Sequence, residues 1–147
     1  MTITGVDTLK SLAESGQGPP VAKLLGWELL EIEPGRVKVR YQAGEQFLNP
    51  MGNVQGGILA AMLDDAMGPA AFTTVEEGQF VPTLEFKVSF LRPAKPGTLI
   101  AEGRLVHRTK SVAYVEGDLL TEDGELVAKG TATLRVVSAE LPRLAKQ

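Results

Sequence analysis

The sequence from Gly57 to Phe72 reads GILAAMLDDAMGPAAF and decides the fold. Its residues are almost all apolar and do not alternate with a period of two, so the pattern predicts an α-helix over 57–72. Because the apolar residues lie almost all round this helix, we expect it to be buried and not to lie on a surface. Gly56 and Gly57 mark its start.

Strands are predicted on both sides of this helix. Trp27–Glu33 and Arg36–Gln42 flank Pro34-Gly35 and are typical of a hairpin, and residues 82–92 alternate with a period of two. Further strands are predicted at 98–107, 112–120 and 126–137. Two strands, one long helix and four strands with short connections favour an α+β fold, in which an antiparallel sheet wraps around the helix. The small residues Ala128, Gly130 and Ala132 share one face and would let the helix backbone come close.

The chain organisation predicts one domain, since 147 residues suffice for one hydrophobic core. Residues 1–26 are expected to form a helical extension packed on that domain. This extension has short helices over 7–14, capped by Asp7 or Thr8, and over 19–25, stopped by Gly26. The domain itself is expected over 27–138, followed by a C-terminal tail over 139–147.

The composition removes several classes of chemistry. The chain has no Cys and one His, so it has no disulfide and no thiolate metal site, and any Ser-His-Asp triad would need His107. The formal net charge of −3 disfavours nucleic acid as a partner. No apolar stretch is long enough to span a membrane and no signal peptide is visible, so we expect a cytoplasmic protein without a membrane partner.

Two carboxylates, Asp64 and Asp65, interrupt the apolar helix. Buried carboxylates are costly unless they are paired or hydrogen-bonded, so at least one of them needs a reason to be there. Helical spacing places Asp64 on a stripe of small residues, which leaves room for a ligand, and Asp65 on a bulky stripe. We therefore prefer Asp64 as the chemical group. The alternative, that both carboxylates only brace neighbouring loops, remains open.

The start of the helix and a group of basic residues are candidate binding elements. Free backbone N–H groups at Gly56 and Gly57 could bind an anion or polarise a carbonyl oxygen, although a glycine pair can also simply make a turn. Arg92, Arg108 and Lys110 belong to a local excess of basic residues and could hold phosphates. Their alternative role is to solvate strand faces and loop tips.

Three motifs together resemble a known family: Asn49 with Gly52-Asn-Val-Gln-Gly-Gly57, then Asp64, then Phe90-Leu-Arg-Pro-Ala-Lys-Pro-Gly97. In combination they are similar to the hotdog-fold acyl-CoA thioesterases of the phenylacetate-pathway (PaaI-like) type. The resemblance implies hydrolysis of an aryl- or medium-chain acyl-CoA to the free acid and CoA without a metal or other cofactor. It also implies a homodimer, or a homotetramer built from two dimers, with active sites at the dimer interface.

The resemblance also implies roles for residues at the matching positions. Asp64 would be the general base or nucleophile, and the Gly56 N–H would polarise the thioester carbonyl. Asn49, from the subunit opposite to Asp64, would place the carbonyl or water, and Thr83 would assist the water. Gly57 would contribute to substrate binding.

Gln55 departs from the family pattern, because many relatives have His at this position. Gln can donate and accept hydrogen bonds but cannot titrate, so proton delivery to the leaving thiolate from this position is in doubt. The alternative reading is therefore a non-catalytic acyl-CoA-binding or regulatory domain. A hydratase is disfavoured because His107 lies far along the chain. A pocket lined by Met51, Met62, Leu63, Met67 or Phe72 would accept aromatic and medium aliphatic chains alike, since Met-rich surfaces adapt.

Overall fold

The computed structural model describes residues 4–138, which form three α-helices and eight β-strands. The helices are α1 (Gly5–Ser15), α2 (Pro20–Leu25) and α3 (Gly56–Phe72), with a 3-10 helix at Glu45–Phe47. The strands are β1 (Glu28–Glu33), β2 (Arg36–Ala43), β3 (Gln79–Phe80), β4 (Thr83–Phe90), β5 (Gly97–Arg108), β6 (Val112–Thr121), β7 (Leu126–Arg135) and β8 (Val137–Ser138). The predicted tail over 139–147 lies outside the described residues.

Six strands form one antiparallel sheet in the order β1-β2-β5-β6-β7-β4, and β3 pairs with β8 separately. The sheet curves around α3, whose residues Leu59, Met62, Leu63, Ala66 and Met67 are buried in the core. The predicted hotdog architecture, an antiparallel sheet around one long helix, is confirmed. The short β3–β8 pair was not predicted, because two-residue strands leave no periodic pattern.

Glycines on the sheet allow α3 to lie close to it, although at a different place from the one predicted. A Cβ atom at Gly103 of β5 would collide with the backbone carbonyl of Ala66, and one at Gly117 of β6 would lie 2.8 Å from Cγ of Met67. At Gly130 of β7, the nearest helix atom would be Cε of Met67 at 3.3 Å. The close contact with the helix backbone is therefore made at β5, and the contact at β7 involves a side chain.

The N-terminal helices also differ in detail from the prediction. Helix α1 begins at Gly5, and its cap is Thr4, whose Oγ1 accepts a hydrogen bond from the Asp7 N–H at 3.1 Å. The Asp7 carboxylate in turn accepts from the Thr4 N–H at 3.2 Å, which completes a capping box. The prediction of Asp7 or Thr8 as the cap was therefore wrong. The predicted stop of α2 at Gly26 is confirmed by its left-handed conformation, with φ of 74°.

The outer face of the sheet, which points away from α3, carries a network of ion pairs across five strands. Arg36 bonds to Glu31 at 2.7 Å and contacts Glu102 at 3.3 Å, and Arg104 bonds to Asp118 at 2.9 Å. The remaining members of the network are Glu28, Glu33, Lys38, Arg40, Glu116 and Lys129. Each pair is partly solvated and contributes on the order of 1 kcal/mol or less to stability.

The strand β4 lies at one edge of the main sheet, and within the described residues no strand pairs with its free edge. Phe86 and Phe90 face the helix side of the sheet, because they pair with the buried Ala132 and Ala128 of β7. Nevertheless Phe86 is 39% exposed and Phe90 is 53% exposed. An edge strand with apolar side chains exposed on its inner face is typical of a surface that pairs with another chain.

Candidate active site

Asp64 lies near the middle of α3 and faces the beginning of β4. It is half-buried, and its Oδ1 accepts a hydrogen bond from Oγ1 of Thr83 at 3.0 Å. A β-bulge between Thr83 and Glu85 lets Thr83 point inward, where it pairs with the buried Leu134. The two side chains selected from the sequence therefore lie in direct contact, and one oxygen of the Asp64 carboxylate carries no bond to another described residue.

Asp65 points in a different direction and contacts the core of the sheet. Its Oδ2 lies 3.0 Å from the hydroxyl of Tyr41 on β2, and the same hydroxyl lies 3.1 Å from the carbonyl oxygen of Met62. Burial raises the pKa of the Asp65 carboxyl from 3.8 to about 6, against the lowering effect of the Tyr41 hydrogen bond. The neighbouring charge of Asp64 raises this pKa further. Asp65 is thus a bracing group between helix and sheet.

The start of α3 leaves two backbone donors without protein partners. Gln55 is the N-cap residue, and its Oε1 accepts a hydrogen bond from the Ile58 N–H at 3.2 Å. Neither the Gly56 N–H nor the Gly57 N–H forms a hydrogen bond to another described residue. A Cβ atom at Gly57 would lie 2.7 Å from Oε1 of Gln55, so the glycine makes room for this cap. The N–H groups sit at the positive end of the helix dipole.

A cleft opens beside these donors. Its walls include Asn49, Leu59, Phe90, Leu91 and Arg92. The Phe90 ring covers the helix start, since a Cβ atom at Gly56 would lie 3.3 Å from its Cζ. Asn49 Oδ1 accepts hydrogen bonds from the N–H groups of Met51 and Asn53, at 3.0 and 3.1 Å. The Asn49 oxygen thus shapes the loop, and its amide group is the part available for a ligand.

The two halves of the candidate site are separated within one chain. With a rise of about 1.5 Å per residue, Asp64 lies about 12 Å along the helix axis from Gly56. Thr83, which contacts Asp64, and Phe90, which lies against Gly56, are at opposite ends of β4. One protomer therefore does not bring Asp64 and the Gly56 N–H to a single carbonyl group.

The candidate phosphate-binding residues also lie at opposite ends of β4, some near Gly56 and the others near Asp64. Arg92 borders the cleft at Gly56 and forms an ion pair with Glu125 at 2.8 Å. Arg108 is at the other end, because the pairing runs from Arg108 to Ala113, then to Leu134, then to Thr83 across four neighbouring strands. Its guanidinium donates to the carbonyl of Thr109, and Lys110 follows in the same turn.

Two parts of the site were not found from the sequence. Phe90 begins the third motif of the resemblance but was given no role in the site, because its contact with Gly56 depends on tertiary packing. Of the residues considered as a possible acyl pocket, Met62, Leu63 and Met67 are fully buried between helix and sheet within one chain. The apolar residues around α3 had predicted a buried helix, and the structure confirms this burial.

Comparison with known proteins places these features in a family. The family model of the Thioesterase superfamily matches residues 51–128, more than half of the chain, and the chain belongs to this superfamily. The match covers α3, Thr83 and the edge strand β4. The fold and the match together define a hotdog-fold thioesterase, which favours an enzyme over the non-catalytic domain that Gln55 had left open.

Individual relatives give a finer view. A phenylacetic acid degradation-related protein from Ralstonia eutropha JMP134 is 42% identical, with a TM-score of 0.78 over 85% of this chain and 97% of that one. A protein from Streptococcus mutans UA159, solved with acetyl CoA bound, is 27% identical with a TM-score of 0.72 over 78% and 91% of the two chains. Human acyl-coenzyme A thioesterase 13 is 26% identical, over 71% of this chain and 76% of its own. The chain is a thioesterase of the PaaI-like type.

None of the helices within residues 4–138 combines the length and apolarity needed to cross a bilayer. The same part of the chain brings no three His, Asp or Glu side chains together in a way that could hold a metal ion.

Proposed function

We propose that the protein is a homodimeric hydrolase that cleaves an aryl- or medium-chain acyl-CoA to the free acid and CoA. The observation that carries this proposal is the hydrogen bond between Asp64 of α3 and Thr83 of β4. The same helix α3 exposes the N–H groups of Gly56 and Gly57 at its start. A carboxylate and a pair of backbone donors are the groups that hydrolysis of a carbonyl compound needs.

The proposed reaction uses Asp64 as general base. Its free carboxylate oxygen takes a proton from water, and the water oxygen bonds to the thioester carbonyl carbon. The negative charge that develops on the carbonyl oxygen is stabilised by the N–H of Gly56. The C–S bond then breaks, and the proton held by Asp64 passes to the departing CoA thiolate, which regenerates the carboxylate. Thr83 holds the other carboxylate oxygen and thereby fixes the orientation of Asp64.

A second reading of Asp64 is nucleophilic attack, in which a carboxylate oxygen bonds to the carbonyl carbon and expels the thiolate. Water then hydrolyses the resulting anhydride. Rapid quenching of a single turnover, followed by peptide mass analysis, distinguishes the two readings, because only the second acylates Asp64.

The dimer supplies what one chain lacks. Since about 12 Å separates Asp64 from Gly56 in a protomer, we infer that the Gly56 N–H at each site comes from the second copy. Asn49 borders the cleft at Gly56 and would come with it. Arg92 of the second copy, together with Arg108 and Lys110 of the first, would then lie at the same site and could hold the CoA phosphates. The acetyl CoA in the Streptococcus mutans relative supports a CoA ester as the substrate.

Gln55 is assigned a supporting role. Its side-chain oxygen caps the Ile58 N–H and so orients the helix start, and because an amide does not titrate, it does not protonate the leaving group. The CoA thiolate is a good leaving group, so hydrolysis does not require an acid at this position. We propose a cytoplasmic location and, beyond the dimer, a tetramer of two dimers.

The test is release of free thiol from a panel of aryl- and medium-chain acyl-CoAs. The protein contains no cysteine, so every thiol detected is CoA. Asp64→Ala should lower kcat by about 10²–10⁴. The matched control is Asp65→Asn, which should retain turnover because Asp65 faces the core. Turnover close to wild type in a folded Asp64→Ala dimer would refute the proposal, and loss of turnover in the control alone would transfer the role to Asp65.

A further inference from the structure

A buried polar atom near the start of α3 has no hydrogen-bond partner. Among the side-chain nitrogen and oxygen atoms of residues 4–138, only Oδ1 of Asn53 and Nε of Arg108 are buried and unpaired. Arg108 is already a candidate for binding phosphates, whereas Asn53 has no role so far. Buried polar atoms of folded proteins are nearly always hydrogen-bonded, because an unpaired one costs free energy. We therefore expect the Asn53 oxygen to meet a donor that the described chain does not supply.

The backbone of the loop holds Asn53 in place. Its N–H donates to Oδ1 of Asn49 at 3.1 Å, and its carbonyl accepts from the N–H of Asn49 at 2.8 Å. The N–H of the next residue, Val54, donates to the carbonyl of Ala94 at 2.8 Å. Because these backbone bonds fix the loop, the Asn53 side chain is not needed to shape it. The side-chain amide is instead preorganised for a ligand.

Asn53 borders the cleft at the helix start, which has a volume of about 380 Å³. The same cleft is bordered by Gly56, whose N–H is proposed to bind the thioester carbonyl, and by Arg92, a candidate for the CoA phosphates. Most of the other walls are apolar and are formed by Val54, Leu59, Phe90, Leu91, Pro93 and Ala94. A CoA ester that contacts both Gly56 and Arg92 therefore places the segment between its sulfur and its phosphates in this cleft.

That segment of CoA contains two secondary amides joined by methylene groups, and two methylene groups separate the sulfur from the N–H of the first amide. An amide N–H that enters an apolar cleft loses its water and needs an acceptor. The oxygen of Asn53 needs a donor. A hydrogen bond between the two removes both costs at once.

We propose that Oδ1 of Asn53 accepts a hydrogen bond from the first amide N–H, counted from the sulfur, and so selects CoA esters over thioesters that lack this amide. The inference rests on the proposed function and deepens it by adding a substrate-binding residue. The amide lies away from the reacting carbonyl, so the bond is equally strong before and during the reaction. It should therefore act on KM and leave kcat almost unchanged.

Two small thioesters of one acid test this contact. The S-(2-acetamidoethyl) ester keeps the first amide and lacks the phosphates, and the S-pentyl ester has a chain of equal length without an amide. Wild type should have the lower KM for the first ester, and Asn53→Ala should reduce this preference roughly three- to tenfold. Asn53→Asp, whose carboxylate oxygen also accepts, should retain the preference. The matched control is Gln46→Ala, which removes an exposed amide outside the cleft and should behave like wild type.

Stability measurements distinguish binding from a structural role. Because Asn53→Ala removes an unpaired acceptor, the variant should unfold at the same denaturant concentration as wild type or at a higher one. A clear decrease, accompanied by an equal loss of kcat for both esters, would assign Asn53 to the structure of the loop and overturn the inference. The same preference between the two esters in wild type and Asn53→Ala would also overturn it.

Calorimetric titration with CoA itself separates this inference from the proposed function and also decides the case in which the small esters are not turned over. Binding of CoA should be roughly three- to tenfold weaker in Asn53→Ala, and unchanged binding would reject the role of Asn53. Weaker binding without turnover of any CoA ester would reject the hydrolase and leave the role of Asn53 intact. Turnover of CoA esters with unchanged CoA binding would do the reverse.

Discussion

Removing the charge of Asp65 should stabilise the folded protein at neutral and alkaline pH. Burial raises the pKa of this carboxyl from 3.8 to about 6, so the folded state binds its proton more tightly than the unfolded chain does. Stability from this group is therefore fully present below about pH 4 and is lost as the pH rises through 6. The difference of about two pKa units corresponds to about 3 kcal/mol above pH 6.

The variant Asp65→Asn avoids this loss, because the amide is neutral and its oxygen can still accept the hydrogen bond from Tyr41. We expect the variant to exceed wild type in free energy of unfolding by about 2–3 kcal/mol at pH 8 and to match it near pH 4. The assay is denaturant unfolding between pH 4 and 8, with both proteins at one concentration, because unfolding of the proposed dimer would depend on concentration.

A control of opposite sign is available on the outer face. Burial acts to raise the pKa of Asp118, but hydrogen bonds from Lys129 and Arg104 outweigh it and lower the pKa. Asp118→Asn should therefore destabilise the protein at neutral pH, and the difference should disappear in acid. A Asp65→Asn variant that is less stable than wild type at pH 8, or that differs by the same amount at every pH, would refute this reasoning.

Two further predictions concern packing and substrate binding. Gly103→Ala should destabilise the fold by about 1–3 kcal/mol in denaturant unfolding, because its Cβ collides with the Ala66 carbonyl. At Gly68 a Cβ meets no heavy atom within 4 Å apart from its own helix backbone and chain neighbours, but it precedes Pro69, which offsets the gain in helix propensity. Gly68→Ala should therefore destabilise less than Gly103→Ala, and equal effects of the two would contradict the packing described. Glu125→Gln should lower KM for a CoA ester with little effect on kcat, because the substitution releases Arg92 from its ion pair. Steady-state kinetics measures both constants, and a higher KM would exclude Arg92 as a phosphate ligand.

Local periodicity accounts for the parts of the fold that the sequence predicts well. The alternating residues of β2 and β4 and the apolar run of α3 record which side of each element is buried, and the confirmed elements agree with them to within a few residues. The N-cap of α1 was misplaced because Thr4 and Asp7 exchange hydrogen bonds, so either residue fits the pattern of a cap.

The site depends on contacts between residues far apart in the chain, which periodicity does not record. Helical spacing separates Asp64 from Asp65, but only the fold shows that Thr83 contacts the first and Tyr41 the second. The role of Gln55 as a helix cap is likewise a matter of its side-chain conformation. The separation of Asp64 from Gly56 follows from helix geometry, and the contribution of a second copy to the site is our proposal.

The ion pairs of the outer face give the protein an optimum pH for stability. At neutral pH that network holds six carboxylates and five cations, so its charges nearly cancel. Acid protonates the carboxylates and leaves five positive charges on neighbouring strands, which repel one another most strongly at low ionic strength. The same acid relieves the buried charge of Asp65. Protonation thus destabilises the fold through the outer face of the sheet and stabilises it through Asp65. The free energy of unfolding is highest at the pH where these two effects balance.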